Sequence, residues 1–90
     1  MTRIKIVGLG AGGETPFDGK YLAEYDPKKP GVDPNGRPMT AHVVCTEDPE
    51  KALVFPSAVE ALEKWREPSG HIRWDGKPDR PLTAFTVEVA

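Results

Sequence analysis

Three groupings of residues in this 90-residue chain are of types that do chemistry. The first is Gly8-Leu9-Gly10-Ala11-Gly12-Gly13, whose glycines at 8, 10 and 13 satisfy G-x-G-x-x-G directly after the run Arg3-Ile4-Lys5-Ile6-Val7. That spacing cradles a pyrophosphate only when the third glycine opens a helix whose free N–H groups point at the anion. Gly13 is instead followed by Glu14-Thr15-Pro16-Phe17-Asp18-Gly19, a proline-bearing turn without helical periodicity, and Glu14 would repel phosphate. The loop reads as a flexible connection. The second grouping is His42 with Cys45, because an imidazole beside a thiolate is an activated nucleophile. Three positions apart in a strand, the two side chains point to opposite faces and cannot meet. His42 is then a half-buried structural histidine and Cys45 a small buried thiol. The third is metal ligation. His42 and His71 fall in different elements, and the acids lack the D-x-D spacing that hard cations prefer. No catalytic residue, metal or cofactor is expected, and the chain is not expected to be an enzyme.

Composition narrows the field further. Twelve Lys and Arg against fourteen Asp and Glu give a formal net charge of -2, which argues against a coat for nucleic acid or a membrane surface. The single cysteine excludes an intramolecular disulfide and a cysteine zinc site, and points to a reducing compartment. No apolar stretch approaches the ~20 residues of a membrane span, and the start Met1-Thr2-Arg3-Ile4 lacks the apolar centre of a signal peptide. A soluble, cytoplasmic protein is expected. A chain this short buries only about 60 to 65% of its unfolded surface, so residues 1–90 form one domain around one thin core.

Short elements separated by Pro and Gly must build that core. Residues 2–9 alternate, with Ile4, Ile6 and Gly8 on one side. Residues 20–25 alternate again, Tyr21, Ala23 and Tyr25 against Leu22 and Glu24, and Asp26-Pro27 ends the strand. Residues 39–46 form a third strand and 82–89 a last one, with Phe85, Val87 and Val89 on one face. Residues 57–66 form the helix. Ser57 and Glu60 have capping-box spacing, Ala58, Leu62 and Trp65 make the apolar stripe with Val59 and Ala61 beside it, and Glu60 faces Lys64 at i,i+4. Asp48-Pro49 starts a single capped turn, and Leu53-Val54-Phe55 reads as a short edge strand. The predicted fold is α+β: an antiparallel sheet of four or five short strands with one helix packed on one face.

Two long connections remain, 26–38 and 67–81, and loops longer than the usual ~4 to 6 residues are often binding surfaces. The second carries His71, Arg73, Trp74, Lys77 and Arg80, with Arg66 at its edge, against Glu67, Asp75 and Asp79. Tryptophan and arginine dominate interface hot spots because each joins a large desolvating area to a directional donor. Arg66, Arg73, Trp74, Lys77 and Arg80 are therefore the candidate partner-binding residues. The competing structural reading folds Trp74 back over the sheet as a lid. A base stacked on Trp74, with Arg73 and Lys77 near phosphates, is the nucleic-acid alternative, and the acidic balance favours a protein.

The segments Thr15-Pro16-Phe17-Asp18-Gly19-Lys20-Tyr21-Leu22, Asp33-Pro34-Asn35-Gly36-Arg37-Pro38 and Glu47-Asp48-Pro49-Glu50-Lys51-Ala52, and the ending Arg73-Trp74-Asp75-Gly76-Lys77-Pro78-Asp79-Arg80-Pro81-Leu82-Thr83-Ala84-Phe85-Thr86-Val87-Glu88-Val89, resemble those of short accessory proteins from bacteriophages, prophages and mobile elements. The resemblance brings no catalytic motif. It implies a setting in the host cell cytoplasm and a protein that binds a host protein, including as an inhibitor of host defence such as an anti-CRISPR protein. A single-stranded nucleic-acid-binding accessory protein and a virion component are the alternatives in the same setting.

Overall fold

Alternation in the first strand sets the core: Ile4, Ile6 and Gly8 are buried, whereas Val7 and Leu9 are exposed, the one-sided pattern that a pleated strand imposes. The computed structural model describes residues 2–89. In chain order its strands are β1 (Ile4–Leu9), β2 (Tyr21–Asp26), β3 (Gly31–Val32), β4 (Pro38–Met39), β5 (His42–Thr46) and β6 (Phe85–Val89), with one helix, α1 (Ala58–Trp65). Short 3-10 turns occupy Pro49–Lys51 and Pro81–Ala84. The main antiparallel sheet runs β5-β2-β1-β6, and β3 pairs with β4 in a separate two-stranded sheet. This is the predicted α+β class with one small sheet added. Ile4, Ile6, Leu22, Val43 and Phe85 of the main sheet form the core with Phe17, Leu82 and Ala61 of α1. Phe17 meets Phe85 edge to face at 5.7 Å, a favoured arrangement of ring quadrupoles.

Several local expectations are corrected. In β2 a bulge between Leu22 and Glu24 breaks the alternation, so Leu22 and Tyr25, not one set of odd positions, are the buried pair. The run 39–46 is two strands, because the chain bends at Thr40 and Ala41 and delivers Met39 to β3. The bend is tight: a Cβ on Gly31 would lie 2.9 Å from the Ala41 carbonyl oxygen. The last strand starts at Phe85. Pro81 opens a 3-10 turn whose Thr83 N–H and hydroxyl both donate to the Arg80 carbonyl, and this turn buries Leu82 completely. Residues 53–55 are a wedge rather than an edge strand. Leu53 N–H donates to the Leu22 carbonyl at 2.9 Å, and Thr2 and Phe55 exchange both backbone bonds, so the segment fills the gap where β1 and β2 diverge.

The capped turn at Asp48 forms as expected, its carboxylate accepting from Glu50 N–H at 2.9 Å. The capping box does not. Ser57 stands at the cap, but its hydroxyl donates to the Glu60 carboxylate instead of accepting from the helix backbone. With Glu60 occupied there, Lys64 pairs with Glu67 at 3.0 Å. The apolar stripe is also narrower than expected. Ala61 is buried and Leu62 and Trp65 half-buried, while Ala58 and Val59 face solvent.

Burial of two ionisable groups gives the fold an alkaline limit. Desolvation pushes the Cys45 thiol from 9.0 up to about 12. Desolvation, then the nearby Glu67 carboxylate, push the Tyr25 phenol from 10.0 to about 12. A raised pKa means that the folded chain keeps protons the unfolded chain has lost, so stability is intact below the unfolded values and falls as pH climbs towards 12. Urea unfolding followed between about pH 8 and pH 11 should show this decline, and Cys45→Ala should flatten its lower part; a pH-independent midpoint would contradict the burial. In the same assay Phe85→Ala should cost about 3 to 5 kcal/mol, and the half-buried Leu62→Ala clearly less.

Candidate protein interface

The two long connections fold into hairpins built on the same turn. In the first, Gly36 N–H donates to the Asp33 carbonyl and Asp33 N–H to the Arg37 carbonyl; in the second, Gly76 N–H donates to Arg73 and Arg73 N–H to Lys77, at 2.9 and 2.8 Å. Gly76 has φ +82°, the left-handed conformation that closes a three-residue hairpin loop and that a side chain would strain. Side-chain carboxylates reinforce both turns, Asp33 accepting from Asn35 and Arg37 N–H, and Asp75 from Lys77 N–H at 3.1 Å. The shared pattern is Asn/Asp-Gly-Arg/Lys-Pro. The hairpins differ in placement. β3 of the first packs against β5 of the main sheet, whereas every residue from His71 to Pro78 in the second is exposed.

Trp74 sits in the turn of this second hairpin and is 94% exposed. The lid reading is therefore overturned: the indole covers nothing. Ile72, 69% exposed, stands two residues away and pairs with Pro78. Arg73 and Lys77 flank Trp74 and are joined through their backbones, and the Arg73 guanidinium is 3.7 Å from Asp75. Arg66 ends α1 and Arg80 precedes the 3-10 turn at 81–84, so these two lie at the base of the hairpin, not its tip. The structure thus groups Arg73, Trp74 and Lys77 and sets Arg66 and Arg80 apart.

A hydrogen-bonded lock fixes the base. Ser69 is 5% exposed, and its hydroxyl contacts Asp79 Oδ2 at 3.1 Å, His71 N–H at 3.2 Å and His71 Nδ1 at 3.3 Å. A hydroxyl has one proton and two lone pairs. The carboxylate can only accept, so the proton goes to Asp79 and His71 must donate from Nδ1. Ser69 and Asp79 also join through their backbones at 2.8 Å, and Asp79 N–H donates to the His71 carbonyl at 3.0 Å. Three further contacts tie the base to the core: Tyr25 OH to the Glu67 carbonyl at 3.2 Å, Lys64 to Glu67, and Trp65 Nε1 to the carbonyl of buried Leu82 at 2.9 Å. Nothing local in the sequence marks Ser69, because its partners lie two and ten residues away across a hairpin whose strands are too short to alternate.

The other groupings stay apart. After Gly13 the chain turns at 15–19, with Asp18 N–H donating to Thr15, so no helix N-terminus follows the glycines. His42 contacts Glu24 at 3.7 Å on one face of β5, while Cys45 packs against the core. No cluster of three metal-ligating side chains occurs among the described residues, and no helix among them is long and apolar enough to cross a membrane. An open cleft of about 580 Å³ lies beside β2, but Glu24, Asp26, Lys29, His42 and Lys64 line it with charges of both signs. No protein-family model, curated protein or solved structure matches the chain.

The lock makes a spectroscopic prediction. In long-range ¹H–¹⁵N spectra near neutral pH, neutral His71 should carry its proton on Nδ1, the less usual tautomer, and Ser69→Ala should release it to the Nε2–H form. An Nε2–H majority in the unaltered protein would contradict the hydroxyl's arrangement.

Proposed function

We propose that this chain is a small interaction protein that binds a host protein through the tip of the 71–79 hairpin. Trp74 is the anchor, Arg73 and Lys77 flank it, and Arg66 and Arg80 contribute at the margin. The observation that carries the reading is the 94% exposure of Trp74 on a hairpin whose base is locked to the core. An isolated solvent-facing indole stabilises nothing in its own domain, while it desolvates a large area at low entropic cost when a partner pocket receives it. Pre-ordering of the hairpin reduces the entropy lost on association. The resemblance to phage accessory proteins supports a target in host defence, with the chain acting as a steric inhibitor in the manner of an anti-CRISPR protein.

The Arg73–Asp75 contact at the tip and the net charge of -2 favour a protein partner over single-stranded nucleic acid. Salt separates the two, since phosphate contacts weaken steeply with ionic strength. The direct test is Trp74→Ala. Affinity for a partner captured from host lysate should fall by about 2 kcal/mol or more, with the melting temperature unchanged because the indole packs on nothing. Unaltered affinity would remove Trp74 from the interface, and a lowered melting temperature would restore the lid.

A further inference from the structure

The two edges of the main sheet are treated differently. At β5 the neighbouring β3 packs alongside, with Gly31 in close approach to Ala41 and His42. At β6, no strand among the described residues pairs with the outer side. The edge there is Phe85-Thr86-Val87-Glu88-Val89, with no proline and no bulge of its own and with Glu88 as its single charge, so two of the devices that ordinarily keep an edge from pairing are missing. Its outer groups can be assigned. Ile6 exchanges backbone bonds with Lys20 and Gly19 on the β2 side, so Lys5 turns its N–H and C=O towards β6. Lys5 opposes Glu88, so Glu88 bonds inward, and Val87 and Val89 direct their backbone groups outward by strand alternation. The N–H of Phe85 is taken by the Leu82 carbonyl, which leaves its C=O. A groove of about 330 Å³ opens along this edge between α1 and β6, lined by Leu62, Trp65, Phe85, Thr86 and Val87 among others.

We propose that β6 pairs with β6 of a second copy of this chain, antiparallel about a two-fold axis at Val87, to make one continuous eight-stranded sheet. The occupant follows from the strand's own symmetry. In this register Val87 opposes Val87, and Phe85 opposes Val89. The two Val87 residues exchange both bonds, each Val89 N–H donates to the partner's Phe85 carbonyl, and the occupied Phe85 N–H is not needed. Each exposed Glu88 faces an exposed Thr86 across the seam, so the two carboxylates are kept apart and no like charges oppose. An isologous two-fold contact of this kind closes and does not propagate. Five residues per strand bury less than the ~800 Å² per partner of a standard interface, so the dimer is weak and concentration-dependent.

The exposed pair Thr86 and Glu88 tests the register without disturbing the core. Sedimentation equilibrium of the full chain from micromolar to millimolar concentration should show a monomer–dimer equilibrium. Thr86→Glu sets carboxylates face to face twice per dimer and should weaken dimerisation about fivefold, whereas Thr86→Lys creates two cross-strand ion pairs and should strengthen it about as much. Melting temperatures of the dilute monomers confirm that both variants fold. Amide exchange at Val87 and Val89 should slow as the dimer forms. A strict monomer at millimolar concentration overturns the proposal. So does a dimer that neither substitution alters, which would place self-association elsewhere, including the Trp74 hairpin, and so does a shift of both variants in the same direction.

Discussion

The hydroxyl of Ser69 has one proton and two lone pairs, and all three are engaged inside the base of a single hairpin. That arrangement ties the two legs of the hairpin together where it leaves the domain, around a hydroxyl that is itself buried. A hairpin whose strands reduce to one bridging pair, Ile72 with Pro78, is marginal by itself in water. Here its order is imposed from below. The base is continuous with the core through Leu82, whose side chain is fully buried and whose carbonyl holds the Trp65 indole. Order at the base therefore passes up to a tip that has no packing of its own.

The rest of the molecule is consistent with a scaffold for that tip. A chain of this length has a thin core, and this one concentrates it: two isoleucines of β1, Leu22, Leu82 and the Phe17–Phe85 pair fill the space under a helix of eight residues. Strand β1 is central, bonded to β2 on one side and β6 on the other. Where β1 and β2 diverge, Leu53 and Phe55 supply backbone partners, so the gap needs neither water nor side chains to satisfy it. Polar atoms at the hairpin base are likewise matched, and no buried side-chain nitrogen or oxygen among the described residues lacks a partner.

How much of this is legible in the sequence depends on how local each cause is. β1, β6 beyond Phe85, the Asp48 turn and the helix rest on alternation, a cap and a stripe within a few residues, and all four are readable. The bulge at Ala23 is not, because it answers to the partner strand β5 and not to β2's own residues. Phe17 and Leu82 are core residues in turns, placed by prolines at their flanks, where neither helical nor strand periodicity points inward. The two hairpins do carry a local signal: Asn35-Gly36 and Asp75-Gly76, each followed by a basic residue and proline, are strong turn dipeptides. Their flanking strands are too short to show alternation, and the contacts that hold the second one, Ser69 to Asp79 and Tyr25 to Glu67, span ten and forty-two residues. Candidate residue types were readable, but which of them share a tip was not. Arg66 and Arg80 are close to Trp74 in sequence yet belong to the base.

The tip carrying Trp74 is ordered in the free chain, and backbone ¹⁵N relaxation on the dilute protein measures that directly. Residues 72–77 should give order parameters near those of the sheet, about 0.8 or higher. Values below about 0.6 across the tip, with the sheet rigid in the same experiment, would mean that the Ser69 lock does not govern the hairpin and would contradict the account.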